Sequence, residues 1–210
     1  MAMGQTTDER VPDVSMAGIL HAIPPLDPET GHLPPGRYRT TLNHIRHRFV
    51  DHPDFTSSTT RPAIWDGFIN YLVAWRDSQE QFDQQILHTL WIAGSFISDK
   101  LNPSDIDVSP VYDEGVISNL AGSQGIGKVK RLVGHRKKLV EQYKVEPFPI
   151  PWRSLESTLL PMNLPEHEQN YLARRGGLDD WWQRIRPDGS DGPSLAPSVS
   201  SARGYLEVTW

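Results

Sequence analysis

The sequence predicts a mixed α/β (α+β) protein, with a small mixed β-sheet and helices packed on one of its faces. Residues 87–93 (LHTLWIA) form a short apolar run that stops at a glycine, which is typical of a buried strand. Residues 105–112 (DIDVSPVY) alternate between polar and apolar side chains, which indicates a second strand. Apolar residues recur every three or four positions across 60–85, which indicates a long amphipathic helix. Strands and helices mixed along one chain favour a layered α/β fold.

The other elements follow from spacing and from turn residues. Thr41 can cap a short helix at 41–51, and Pro62 suits the first turn of the helix at 60–85. Pro147 and Pro149 restrict a short strand at 145–150 to an edge of the sheet, because proline cannot donate to a strand ladder. Further helices are predicted at 127–143, 165–174 and 178–186, and a last strand at 204–210.

Composition divides the chain into one folded domain and its extensions. Residues 1–36 are rich in polar side chains and prolines, so we expect an extended N-terminal segment. The folded domain is expected to span 37–186. Glycine, proline and serine dominate the following stretch, which predicts a flexible loop over 187–203. Residues 204–210 are expected to return to the domain as its C-terminal strand.

Charge and cysteine content exclude several classes of protein. The formal net charge is −5, which excludes a wholly basic nucleic-acid coat but leaves room for a local basic patch. The chain has no cysteine, so disulfide scaffolds, zinc–thiolate sites and cysteine nucleophiles are excluded. No apolar run approaches the roughly 20 residues that cross a bilayer. The N-terminus has no signal-type apolar stretch, and we expect a cytoplasmic protein that does not contact membranes.

The residues best suited to chemistry lie just after the first predicted strand and at the start of the second. Asp105 and Asp107 share one face of their strand, because side chains alternate across a sheet. Two adjacent carboxylates favour a hard divalent cation such as Mg²⁺, which binds oxygen ligands and substrate phosphates. Gly94 lets a phosphate approach the backbone, and the hydroxyl of Ser95 can hold it.

A Gly-Ser pair after one strand and an Asp-x-Asp pair on the next resemble the nucleotidyltransferase superfamily, with its DNA polymerase beta-like fold. The match is most similar to small bacterial members, among them the minimal nucleotidyltransferases of toxin–antitoxin pairs. Three segments also resemble an uncharacterised group of bacterial nucleotidyltransferase-like proteins: LPPGRYRTTL, the GSF…K…P.DID core and the closing GYLEV. The domain at 37–186 is thus expected to be nucleotidyltransferase-like.

The resemblance implies catalysis with Mg²⁺ or Mn²⁺ held by Asp105, Asp107 and a third carboxylate from a neighbouring strand. Glu146 is the first choice for the third carboxylate, Glu207 the second and Asp113 the third. One ion would activate the attacking hydroxyl and the other would neutralise the pyrophosphate leaving group.

The same resemblance implies a nucleoside triphosphate as substrate, with ATP as the default. Small members carry an arginine shortly after the Gly-Ser pair, and Lys100 can supply its charge here. The segment 128–138 (KVKRLVGHRKK) is either a solvated basic face or a contact with triphosphate or RNA. The predicted nucleotide-binding residues are Gly94, Ser95, Lys100, Lys128 and Arg131.

The function that follows is a metal-dependent nucleotidyltransferase that moves NMP from an NTP to an acceptor hydroxyl. The acceptor is left open between tRNA, a protein and a small molecule, and a toxin–antitoxin or defence system is a context that fits. The alternative is a non-catalytic nucleotidyltransferase-like protein that binds a partner as an antitoxin or scaffold. A hydrolase or nuclease with the same metal pair is a third alternative. A third carboxylate within reach of Asp105 and Asp107 favours the enzyme.

Overall fold

The computed structural model describes residues 22–155, 161–185 and 202–210. Its strands are β1 Gly36–Arg39, β2 Leu87–Ala93, β3 Ile106–Asp113, β4 Val145–Pro147, β5 Ile150–Trp152 and β6 Gly204–Thr209. Its helices are α1 Leu42–Phe49, α2 Arg61–Phe82, α3 Glu114–Asn119, α4 Ile126–Gly134, α5 Arg136–Tyr143 and α6 Glu166–Trp182. The predicted mixed α/β class is confirmed.

The six described strands form one mixed sheet in the order β1-β6-β2-β3-β4. β2 pairs antiparallel with both β3 and β6, whereas β1 runs parallel to β6 and β4 runs parallel to β3. β5 pairs with the later part of β3, so β4 and β5 together form one interrupted edge. β6 thus lies inside the sheet, although it is the last strand in the sequence.

Most helices cover one face of the sheet. α2 contacts β4, α4 and α5, and it buries the aromatic side chains of Trp65, Phe68 and Trp75. α6 covers the opposite face, since its Trp182 donates a 2.9 Å hydrogen bond from Nε1 to the hydroxyl of Ser109. The sheet therefore has an α2 side, and an α6 side on which part of the surface stays open.

Several predicted elements are confirmed. The strand at 87–93 has the predicted bounds, and the second strand starts one residue later than predicted, at Ile106. Thr41 caps α1 by accepting a 3.2 Å hydrogen bond from the His44 amide. Pro62 lies in the first turn of α2. The strand with two prolines is at the sheet edge, where it is interrupted at 148–149.

Two helix predictions were wrong. The helix predicted at 127–143 is two helices, because the backbone of His135 leaves the helical region (φ −104°, ψ 57°). The helices predicted at 165–174 and 178–186 are one helix, α6. Its two glycines, Gly176 and Gly177, are helical, although each makes the helix less stable than alanine would by about 1 kcal/mol. The buried side chains of Tyr171, Leu178 and Trp182 hold α6 in place.

The predicted domain boundaries lie close to the first and last strands of the sheet. β1 begins at Gly36, so the end of the segment predicted as extended is already part of the sheet. Residues 1–21 of the N-terminal segment and most of the loop predicted at 187–203 lie outside the described residues. None of the helices in the described ranges has both the length and the hydropathy that a membrane span needs.

Candidate functional site

Three carboxylates meet on the α6 side of the sheet. Asp107 on β3 lies directly opposite Glu146 on β4, and Asp105 precedes Asp107 by two residues. Paired residues of neighbouring strands share a face, as do residues two apart, so all three side chains point the same way. Carboxylate oxygens from the three residues lie within 4.8 Å of one another. We call these residues the acidic triad.

The structure thus brings Glu146, the first choice for the third carboxylate, to the two aspartates. Glu207 lies on the same face but its carboxylate is held elsewhere. It accepts from Trp91 Nε1 at 3.0 Å and from Arg39 Nε at 3.3 Å. Asp113 lies at the far end of β3, where it caps α3 by accepting from the Val116 amide.

Gly94 lies against the triad because β2 ends opposite it. Ala93 pairs with Asp107, and Gly94 follows with φ +76° and ψ −161°, a conformation that side chains rarely adopt. A Cβ atom on Gly94 would lie 1.7 Å from an Asp107 oxygen, Oδ2. Only glycine therefore fits between the end of β2 and the carboxylate.

We expect Gly94→Ala to disturb the triad and to lower stability by about 1–3 kcal/mol, because it combines a positive φ with a steric overlap. Denaturant unfolding and Mn²⁺ titration would measure the two effects. Gly127→Ala is the matched control, since nothing lies within 4 Å of its added methyl in α4. The control should be neutral or slightly stabilising, and equal behaviour of the two variants would contradict the proposed packing.

The triad is electrostatically unfavourable by itself. Burial raises the pKa of Asp107 well above its usual range, and a side-chain hydrogen bond with Glu146 and the charges of Asp105 and Glu146 add to this. Burial and the charge of Glu146 also raise the pKa of Asp105, while Ser104, Lys100 and Arg136 oppose that rise. A bound cation would relieve this repulsion.

The raised pKa values predict a pH dependence of stability. The folded protein binds protons at Asp105 and Asp107 more tightly than the unfolded chain, so the free energy of unfolding should fall as pH rises above the ordinary aspartate value of 3.8. Melting curves recorded in EDTA between pH 4 and 8 would measure the fall. Asp107→Asn should flatten the curve, and an unchanged slope in this variant would contradict the prediction.

The triad forms one wall of a cleft of about 620 Å³, which we call the acidic cleft. Four basic side chains also line it: His32, Lys100, Arg136 and Arg203. Arg136 forms an ion pair with Glu146, with a 2.6 Å hydrogen bond from Nε. Three aromatic side chains also line it: Phe148, Trp181 and Trp182. Acidic, basic and aromatic groups therefore surround one space.

The loop between β2 and β3 carries Ser95 and Lys100 into the cleft, and Arg61 fixes that loop. Arg61 is fully buried in the first turn of α2. Its nitrogens donate to the carbonyls of Phe49 (2.9 Å), Phe96 (2.6 Å), Ser98 (2.9 Å), Lys100 (2.6 Å) and Leu101 (3.3 Å). Its guanidinium also lies 3.8 Å from the ring centroid of Phe55. Burial lowers its pKa to about 10, which leaves it protonated at neutral pH.

Of the predicted nucleotide-binding residues, Gly94, Ser95 and Lys100 line the cleft, whereas Lys128 and Arg131 do not. Lys128 and Arg131 lie on α4, which packs on α2, so their role in nucleotide binding stays a prediction that the cleft itself does not support. Lys128 Nζ instead lies 3.9 Å from an oxygen of Asp77 on α2. The break at His135 redirects the chain, and it is Arg136 that reaches the cleft.

Several groups of the cleft were not predicted, among them His32, Ser104, Arg136, Phe148 and Arg203. Arg136 belongs to the basic segment, but a continuous helix gave no reason to prefer it. His32 comes from a turn in the N-terminal segment, where Gly31 (φ +69°) leaves room for the Asp99 carboxylate. Arg203 donates from Nε to the carbonyl of Trp182 at 3.0 Å. Contacts between such distant positions leave no local signal in the sequence.

The triad fits a divalent cation by the chemistry of its donors. All three ligands are carboxylate oxygens, which suit hard ions such as Mg²⁺ and Mn²⁺. They are partly buried, and they leave one side open to the cleft. An ion with an open coordination position can also bind a substrate phosphate.

In a comparison with protein families, residues 24–209 match the Family of unknown function (DUF6932). The chain belongs to DUF6932. The match spans all six described strands and every residue that lines the acidic cleft, so the cleft is part of the DUF6932 domain itself. Searches of curated proteins and of solved structures find no significant match.

Proposed function

We propose that this DUF6932 protein is a metal-dependent nucleotidyltransferase that moves NMP from an NTP, by default ATP, to an acceptor hydroxyl. The observation that carries the proposal is the acidic triad beside Gly94. Three carboxylates with oxygens within 4.8 Å of one another adjoin a Gly-Ser turn, inside a cleft that also holds basic side chains. These are the groups that phosphoryl chemistry needs in one place.

Asp105, Asp107 and Glu146 would hold Mg²⁺ or Mn²⁺. A bound ion would lower the pKa of the acceptor hydroxyl and neutralise charge on the pyrophosphate. The chain's own residues bind the rest of the triphosphate. Lys100, whose carbonyl accepts a hydrogen bond from Arg61, supplies positive charge to the phosphates. The hydroxyl of Ser95 and the amides of its turn donate hydrogen bonds to them.

A label-transfer assay tests the proposal. The purified protein is incubated with each α-³²P-labelled NTP, Mg²⁺ and the RNA and protein of a cell extract, and labelled products are separated. We expect label to enter one acceptor class, with release of pyrophosphate and loss of the signal in EDTA. Release of phosphate or nucleotide without transfer would instead indicate a hydrolase or nuclease.

A non-catalytic binding protein is the second candidate, and the ion pair between Arg136 and Glu146 favours it. This pair already neutralises one carboxylate of the triad, as a cation would. Mn²⁺ titration followed by electron paramagnetic resonance distinguishes the two functions. The enzyme should bind Mn²⁺ more tightly in the presence of an NTP, whereas a binding protein should show no such coupling.

A further inference from the structure

We propose that the acceptor of this transfer is the end of a single-stranded nucleic acid, which crosses an exposed basic surface on α4 and α5 and enters the acidic cleft at Arg136. This inference rests on the proposed function. We define the basic surface as the exposed cations of residues 130–144, which are Lys130, Arg131, Arg136, Lys137, Lys138 and Lys144.

The charge of the basic surface contrasts with that of the whole chain. Its six cations are accompanied by a single acidic residue in the same range, Glu141, although the formal net charge of the chain is −5. Arg136 is the only one of the six that forms an ion pair within the described residues. Cations without compensating acids on one part of an acidic protein favour a local contact with a polyanion.

The basic surface meets the cleft at Arg136. Arg136 begins α5, and its side chain is 58% exposed although it pairs with Glu146 of the triad. Lys137 and Lys138 follow it directly along α5. A polyanion bound at the first turn of α5 would therefore lie beside Arg136 and the triad, where the proposed transfer to a hydroxyl takes place.

The aromatic side chains of the cleft favour a single-stranded nucleic acid. The Arg136 guanidinium lies 4.8 Å from the ring centroid of Phe148, and Trp181 lines the same cleft with partial exposure. Cationic grooves that also present aromatic rings bind single strands, because the backbone meets the cations while unpaired bases stack on the rings. The cations alone would suit an acidic protein equally well, and it is the stacking of unpaired bases on the rings that favours the single strand.

The test measures binding in EDTA without nucleotide, so that it does not depend on transfer. A fluorescent single-stranded RNA 20-mer is titrated with the wild-type chain, with Lys137→Gln/Lys138→Gln and with Arg174→Gln/Arg175→Gln. The last variant is the matched control, because it removes two exposed positive charges from α6. Affinity is measured at several salt concentrations, and polyglutamate of equal charge serves as the competing polyanion.

We expect salt-dependent RNA binding that is weakened in the α5 variant and unchanged in the α6 control. Losing two phosphate contacts should reduce the slope of log affinity against log salt by about 1.4. Trp181→Ala should weaken binding of the strand without changing that slope, since stacking releases no counterions.

Two results would overturn the inference. Equal weakening in both arginine and lysine variants would mean that only net charge matters, and preference for polyglutamate over RNA would mean an acidic protein partner. The proposed function can fail separately. If RNA binds through α5 but receives no label in Mg²⁺, the basic surface is supported and the proposed enzyme activity is excluded. If a protein is labelled and RNA does not bind, the enzyme activity is supported and the nucleic-acid surface is excluded.

Discussion

Asp107→Asn should reduce nucleotidyl transfer by at least about 10³-fold, equivalent to about 4 kcal/mol of transition-state stabilisation. Asp107 is the most enclosed member of the triad, flanked by Asp105 along β3 and by Glu146 across the strand pair. Asparagine keeps the shape of the side chain but cannot contribute the negative charge that a divalent ion requires. The loss should therefore be one of metal binding and not of folding.

The fold should tolerate this change. The pKa of Asp107 is raised well above its usual range, so its charged form is unfavourable in the folded protein without a metal. We expect the metal-free variant to melt no lower than the wild type, while Mn²⁺ binding is lost. Asp113→Asn is the matched control on the same strand, because it lies far from the triad and asparagine can still cap α3. Transfer by Asp107→Asn above a tenth of the wild-type rate would exclude the metal assignment.

Arg61→Met should destabilise the protein by about 3–5 kcal/mol, the largest effect that we expect outside the triad. Arg61 donates to five carbonyls and has no acidic partner within hydrogen-bond reach in the described residues. Methionine fills much of the same volume but leaves the three buried carbonyls, of Phe49, Phe96 and Ser98, without donors. Each buried, unpaired group costs about 1–3 kcal/mol, and removal of the buried charge offsets part of that sum. Arg61→Lys should recover only part of the loss, because one ammonium cannot reach five acceptors.

Urea denaturation measures the change in stability, and nucleotide affinity reports on the loop. The loop that Arg61 holds carries Lys100, so the variant should also bind NTP more weakly at a temperature where it remains folded. Arg76→Met, on the same helix, is the matched control. Arg76 pairs with Asp77 and Glu80 at the surface, and its replacement should cost less than about 1 kcal/mol. Similar losses in the two variants would show that Arg61 has no special role in the loop.

Local pattern was enough for β2 and β3 and for two members of the triad. The apolar run at 87–93 and the alternation that follows Asp105 predicted β2 and β3, because burial on a sheet requires these periods of side chains. The same alternation placed Asp105 and Asp107 on one face. Gly94 was predicted as a site residue from its place between the strands. Its positive φ explains why a glycine is needed at this position.

Pattern was insufficient where helices begin and end. The stripe of apolar residues in 127–143 is compatible with one helix, yet the chain turns at His135 between α4 and α5. This turn separates Lys128 and Arg131 from the cleft and brings Arg136 to it. The opposite error occurred at the glycine pair in α6. Local propensity predicted a break there, but tertiary packing keeps the helix continuous.

The sequence alone therefore determined the class of fold, the two central strands, and the side of β3 that carries the two aspartates. Only the tertiary structure decided which third carboxylate joins them and which cations surround them. Glu146 lies opposite Asp107 because β4 pairs in parallel with β3, and Arg61 holds the loop that carries Lys100. The physical reason is that strand register and buried hydrogen bonds join residues far apart in the chain, whereas periodicity reports only on which face a residue lies.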